Sequence, residues 1–427
     1  MMPTTREIRF PYAGVAPLLV PEANLLGIYH TREITPAAPV AELTGAAIAA
    51  PTGTPPLREL AAGRQRVLIV CDDISRPTPV AELLPPVLAA LHEAGVPEAG
   101  IEFMMALGTH RAMTRDEMAA KLGPEIVARF AVHNHDWRDP AACAFMGKTA
   151  QGVEVWINRK VSEADLVIGL GRIMPIDVCG FTGGGKILVP GVCGKITNDD
   201  MHWTRIDLDE HAIVGRRDNP VRASIDALAR QAGLGFIVNV IMDIHRRVAH
   251  VVAGDLVEAH RRGCALAMDI HGVRIPEPTD IVVADSFPFD IEFWQANKAL
   301  DQASHVVRQG GVLILVSPCT EGFSATHREM VEFGYGTLAE IKDHVAAGRI
   351  TAKVAAVHMA QVSRVAREKA HVILVTSGIS AADMRRARLD SAPTPQAALQ
   401  QAFARLGTDA KVAVLNGAAE MLPIIGK

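Results

Sequence analysis

A lysine that closes a run of glycines is the strongest chemical signal in the chain. Gly180-Phe181-Thr182-Gly183-Gly184-Gly185-Lys186 follows an apolar run, Asp165 to Gly171, with the length and composition of a buried strand. Successive glycines after a strand let backbone N–H groups close on an anion, because no Cβ stands in the way. The segment satisfies the phosphate-loop spacing G-x-x-x-x-G-K. The following residue, however, is Ile187, where a nucleoside triphosphatase needs a Ser or Thr hydroxyl for Mg²⁺. The loop therefore suits a phosphate but lacks the metal-binding hydroxyl of that enzyme class.

Three other groups of residues sit where apolar runs give way to loops. Asp72-Asp73-Ile74-Ser75-Arg76-Pro77 follows the run Arg66 to Cys71, and an Arg at such a turn offers a fork for a carboxylate or phosphate. A solvated surface turn is the plainer alternative. Gly108-Thr109-His110-Arg111 follows Ile101 to Ala106; a His at the carboxyl end of a parallel strand can act as a general base near neutral pH, or can be a structural His. In Asp290-Ile291-Glu292-Phe293-Trp294-Gln295-Ala296-Asn297-Lys298, Gln295 and Lys298 are three apart and share a face if the segment is helical. His202, downstream of Lys186, is a possible metal ligand, although one His makes no metal site by itself.

The elements that must carry these residues alternate. Strands are predicted at 66–71, 101–106, 153–157, 165–171 and 236–242, with helices at 79–94 and 114–122. After Ile275-Pro276-Glu277-Pro278, where two prolines disfavour helix and central strand, the alternation restarts. Strands are expected at 280–285, 311–316, 371–376 and 411–415, with a helix over 292–309. The pattern predicts an α/β protein: two α/β domains with mostly parallel sheets and an active-site cleft between them. The boundaries read as 1–272 for a cofactor-binding domain and 273–412 for a smaller α/β domain, with a tail, 413–427, packing back on the first.

Composition narrows the class. The 427 residues are 49% hydrophobic and only 4% aromatic, which suits helix-covered parallel sheets. A net charge of −4 with no basic stripe argues against nucleic acid, and no apolar run is long enough to span a bilayer. The six cysteines form no C-x-x-C pair and no signal-peptide pattern opens the chain, so a reduced cytoplasmic protein is expected.

The joint order of the motifs is more specific than any one of them. D-x-x-R-P, G-T-H-R, G-F-x-G-G-x-K-x-x-x-P-G-V, a following His and W-Q-x-x-K together resemble the nickel-dependent lactate racemase family. Gly310 to Leu313 and Pro318-Cys319-Thr320-Glu321-Gly322 extend the likeness. The resemblance implies a nickel pincer nucleotide, a pyridinium-3,5-bisthiocarboxylic acid mononucleotide carrying Ni, joined covalently to Lys186 as a thioamide. His202 completes the nickel coordination, and Asp73, Gly180, Thr182, Gly183 and Gly184 line the cofactor. It also implies reversible C2 hydride transfer on a 2-hydroxy acid: His110 as acid/base, Arg76 as the carboxylate- and oxyanion-binding cation, and Gln295 with Lys298 holding the substrate. Dedicated proteins that build the cofactor are the implied partners.

The chain departs from that family at the position of the second catalytic His, which is Ile176, with Asp177 beside it as a candidate replacement acid. A tryptophan expected in the second domain is missing from Ala355 to Ala360. These departures point to a 2-hydroxy acid other than lactate, such as a sugar acid or hydroxydicarboxylate. The alternatives are an oxidation–isomerisation of a sugar acid with the same cofactor, and a non-catalytic relative that binds the cofactor or its nickel. The substrate-fixing residues argue against the second. No G-x-G-x-x-G with an acidic partner supports a nicotinamide dehydrogenase.

Overall fold

The structure is a computed structural model that describes residues 4–149, 152–208 and 212–426. The chain divides into two compact units, an N-terminal one of Glu33–Thr204 and Ala212–Ile270, and a C-terminal one of Met1–Arg32, Arg205–His211 and His271–Lys427.

The N-terminal unit is built on a six-stranded sheet in the order Val248–Gly254, Leu234–Met242, Leu166–Arg172, Val67–Asp72, Ile101–Ala106, Ala131–Asn134. All neighbours are parallel except the first pair. Every residue of Val67–Asp72 is buried. Side chains alternate across a strand, so this requires cover on both faces. Ile69 and Cys71 pack into one core with Phe103, Ile168 and Phe236, while Leu68 and Val70 join Met104, Val167 and Ile237 in the other. The first strand in sequence, Val67–Asp72, has later strands on both sides. The order therefore reverses beside it, which is the position at which open α/β sheets generally take a ligand. All three N-terminal motifs lie on these loops. The predicted strand at 153–157 is real but belongs elsewhere, since Glu154–Asn158 pairs antiparallel with Cys143–Lys148.

The C-terminal unit has a second six-stranded sheet, wholly parallel, in the order Asp390–Ser391, Ala370–Val375, Val307–Val316, Thr279–Asp285, Val412–Asn416, Leu25–His30. Its first strand after residue 271 to enter the sheet, Thr279–Asp285, again has later strands on either side. The helix that follows it, Phe293–Ser304, starts at the carboxyl edge of the sheet. That helix is shorter than expected, because the chain turns at His305 and is already strand by Val307.

Two expectations about domain organisation are corrected here. The first 32 residues join the C-terminal unit, where Leu25–His30 extends the sheet by pairing with Val412–Asn416. The tail strand Leu422–Ile425 pairs in parallel with Gly272–Ile275 of the same unit, so the tail does not belong to the N-terminal one. Both errors have one cause: strand pairing between chain ends leaves no local signature. All six cysteines are buried and none is in a disulfide. Among the described residues no helix is long and apolar enough to cross a membrane.

Candidate active site

The turn after Val67–Asp72 is fixed from within. The Arg76 N–H donates to the Asp73 carbonyl at 3.0 Å, and the Thr78 hydroxyl donates to Asp72. Lys121, nearly buried on the helix Arg115–Leu122, pairs with Asp72 at 2.8 Å and donates to the Arg76 carbonyl at 2.7 Å. That helix is itself held by a Thr114–Glu117 capping box and by Arg111, whose guanidinium grips Glu117 at 2.8 and 2.9 Å. Arg111 is thus a structural residue, and Lys121 supports the turn in a way that its sequence context does not announce.

Within this frame His110 and Asp73 meet. The His110 Nδ1 hydrogen bonds to the Asp73 carboxylate, whose other oxygen accepts from the Ser75 N–H at 3.1 Å and the Ser75 hydroxyl at 2.5 Å. Asp73 lies behind His110, its side chain 5% exposed against 19% for the imidazole. Burial alone would raise the Asp73 carboxyl. The His110 charge and hydrogen bond, the Arg76 charge and the Ser75 hydroxyl outweigh it and hold the group well below the usual carboxylate range. A permanent carboxylate on Nδ1 orients the ring and leaves Nε2 as the nitrogen suited to take a proton. The resemblance implies a cofactor contact for Asp73; the structure shows it hydrogen-bonded to His110 and Ser75. Arg76 is half-buried in the same turn, its Nη1 donating to the Ser75 hydroxyl at 2.8 Å.

The glycine segment runs from a short hairpin, in which Ile176 pairs with Gly180, into a single turn over Gly184–Ile187. Gly180 must be glycine for internal reasons: it has φ +84°, and a Cβ there would lie 2.0 Å from the Arg216 carbonyl oxygen. The Gly184 N–H donates to Asn239 Oδ1 at 2.9 Å, and the Thr182 hydroxyl bridges the Arg172 carbonyl (2.8 Å) and the Met174 N–H (3.0 Å). The buried guanidinium of Arg222 donates to the Phe181 and Gly183 carbonyls. Gly184 N–H and the Thr182 hydroxyl are therefore spent on the protein itself, contrary to a loop whose N–H groups all converge on an anion. Lys186 remains half-buried at its end.

Gly191 links the two loops. The Gly108 N–H donates to the Gly191 carbonyl at 2.9 Å, and the Gly191 N–H donates to the Lys186 carbonyl at 3.3 Å. The chain then enters the helix Lys195–Trp203, where Asn198 Nδ2 anchors to the Cys193 carbonyl at 2.6 Å. One turn on, His202 Nδ1 lies 2.6 Å from the Asn198 carbonyl. A carbonyl can only accept, so Nδ1 carries the proton and Nε2 the lone pair that a metal needs. Among the described residues no cluster of three or more His, Cys, Asp or Glu could hold a metal ion. A His with its proton on Nδ1 has the tautomer of a metal ligand, which is the role that the resemblance implies for His202.

Ile176 is buried with Cys179, Leu188 and Val189 and has no titratable group. Asp177 is buried at the turn of the hairpin.

In the C-terminal unit Gln295 and Lys298 do share a helix face, with Lys298 Nζ 2.5 Å from Gln295 Oε1 and 4.9 Å from the centre of the Phe289 ring. The loop 318–323 supplies acceptors for the helix start. Phe293 N–H donates to Gly322 O and Trp294 N–H to Phe323 O, each at 2.9 Å, while Cys319 and Glu321 donate back to Asp290 and Ile291. The helix-start and P-C-T-E-G motifs are therefore one structural unit. Sequence reasoning missed the aromatic cluster beside them: Trp294 stacks with His327 and with His358, each at 4.4 Å. Its one sequence signal was a His set in the apolar run Val354 to Ala360.

Comparison with known proteins agrees with the motif order. Residues 13–213 match the lactate racemase N-terminal domain family and residues 275–422 the lactate racemase C-terminal domain family. The lactate racemase of Thermoanaerobacterium thermosaccharolyticum is 30% identical over 275 residues, 64% of each chain. That of Lactiplantibacillus plantarum is 28% identical over 374 residues, 86% of each. The fold matches the structure of the lactate racemase apoprotein from T. thermosaccharolyticum at a TM-score of 0.86, with 24% identity over 99% of this chain and all of that one. A Thermotoga maritima protein matches at 0.72, with 21% identity over 90% of this chain and 97% of its own. With both of its domains matched in order, the chain belongs to the lactate racemase family, a family of isomerases.

Proposed function

We propose that this isomerase inverts C2 of a 2-hydroxy acid larger than lactate, through reversible hydride transfer with a nickel pincer nucleotide held at Lys186. The observation that carries the reading is the Asp73–His110 couple at the carboxyl edge of the sheet, joined through Gly191 to the loop of Lys186. When bound, the cofactor would supply the acceptor that takes the C2 hydrogen with its electron pair and returns it. Lys186 would hold it covalently and His202 Nε2 would donate to its nickel. His110 removes the hydroxyl proton through Nε2, with Asp73 balancing the resulting charge. Arg76 fixes the carboxylate, and Lys298 with Gln295 gives the substrate oxygens cationic and amide partners. Access of small-molecule substrate from solution and cofactor-building proteins as partners belong to the same reading.

A keto intermediate reduced on its other face needs a second proton donor, and Ile176 cannot supply one. Asp177 takes that role here. If it does not, the oxidation–isomerisation of a sugar acid becomes the better reading, because such a reaction needs a donor on one side only.

The test uses a C2-deuterated 2-hydroxy acid that the enzyme turns over, in ordinary water. Hydride transfer keeps the deuterium largely in the inverted product. Washout to solvent would mean that C2 loses a proton, and product with unchanged C2 configuration would favour oxidation–isomerisation.

A further inference from the structure

Against the glycine segment, within the N-terminal unit, lies an open cleft of about 440 Å³ that the chemistry at Lys186 does not use. Phe181 and Cys264 are its buried lining, with Met268 beside them, and Arg216 and Arg217 stand exposed at its edge. Phe181 and Cys264 pack in one core cluster with Ile173 and Ile270, so this apolar floor is held in place from below. The volume is that of a small-molecule site.

The edge carries more positive charge than it balances. Asp218 accepts from Arg261 at 2.8 and 2.9 Å and from Arg217 at 3.1 Å, so one carboxylate serves two guanidiniums. Arg216 has no carboxylate partner among the described residues. Its backbone is nonetheless fixed. The Gly215 N–H donates to the Gly180 carbonyl at 3.1 Å, and the Arg216 carbonyl oxygen would lie only 2.0 Å from a Cβ on Gly180. The wall that carries the guanidinium is thus docked on the glycine segment, unlike that of an arginine on a loose surface loop. A guanidinium fork fits the oxygens of an anion, and an apolar floor favours a ligand that brings apolar surface to cover it.

We propose that this cleft binds a small organic anion with an apolar body, at a site separate from the one that holds a nucleotide on Lys186. Arg216 pairs with the anionic group, and the body lies over Phe181, Cys264 and Met268. The inference requires neither the hydroxy-acid reading nor the nickel cofactor.

The test is a fluorescence titration of the full chain with 8-anilinonaphthalene-1-sulfonate, on protein from a host that makes the cofactor and from one that does not. Arg216 and Ala265 both line the cleft and are exposed, so the fold should tolerate their substitution. Arg216→Ser should weaken binding roughly tenfold, the loss of one hydrogen bond between charged groups, and Arg216→Lys should recover part of it. Ala265→Glu, which sets a like charge in the cleft, should weaken binding at least as much. Arg230→Ser removes another exposed guanidinium of the same unit, one that does not line the cleft, and should change nothing. Absence of saturable binding, or parent-like affinity in both Arg216→Ser and Ala265→Glu, overturns the proposal. An equal loss in Arg230→Ser also overturns it, because the probe would then be following general surface charge. So does a probe that binds the cofactor-free chain and is excluded from the loaded one, since the cleft would then be part of the nucleotide site.

Discussion

Two imidazoles, one in each unit, are held by opposite partners. His110 has a carboxylate on Nδ1, and that carboxylate stays ionised against its own burial. His358 has a phenol on Nε2, a lysine nearby and burial on every side, and is kept neutral. The same side chain is thereby given two chemistries. A ring backed by a negative charge can accept a proton and carry it, whereas a ring kept neutral by burial beside a cation can only share the N–H it already has. The partner, more than the His itself, decides whether a site histidine moves protons or points them.

The sharpest way to break this contrast is to neutralise the carboxylate. Asp73→Asn should lower turnover by about 10²–10⁴-fold, near the loss expected for His110→Ala, because the ring loses both its orientation and the charge that stabilises imidazolium. Turnover in Asp73→Asn close to that of the parent would show that His110 works without its partner. Next in size, Arg76→Ala and Lys298→Ala should each reduce kcat/KM by about two orders of magnitude with cofactor still bound, as expected when a positioned charge is lost from a site; parent-like rates in both would place the substrate elsewhere. Asp177→Asn should slow one isomer several-fold more than the other, and an equal, negligible effect on both would remove Asp177 as the second acid.

The smallest effect is on stability. The folded value of His358, about 3, lies below its ordinary 6.5, so folding excludes a proton from it over that interval. Its contribution to stability is present above about pH 6.5 and lost as pH falls towards 3. Thermal melts at pH 7 and pH 5 should therefore show a smaller acid-induced decrease in His358→Phe than in the parent. An identical decrease would mean that His358 is not held neutral.

How much of this was legible in the sequence depended on whether the signal was local. The strands that position Asp73, His110 and Lys186 were readable from apolar runs, and the W-Q-x-x-K face from helical spacing. The pairing of Leu25–His30 with Val412–Asn416 was not, because partners at opposite chain ends leave no pattern in either segment. The site shows the same division. His110 and Arg76 stand in short motifs, but the Asp73–His110 hydrogen bond and the clamp of Arg222 on the glycine loop join residues far apart in sequence. Gly180 illustrates a subtler limit: the residue fits a ligand-loop motif, yet its φ of +84° and the Arg216 carbonyl beside it already require glycine.

The central claim is that Lys186 holds a nickel-bearing nucleotide. Protein made in a host that synthesises the cofactor should yield, on peptide mass spectrometry, a Lys186 peptide carrying a sulfur-containing nucleotide, with nickel bound to the intact protein and reduced in His202→Ala. Active protein with an unmodified Lys186 and no nickel would contradict the account.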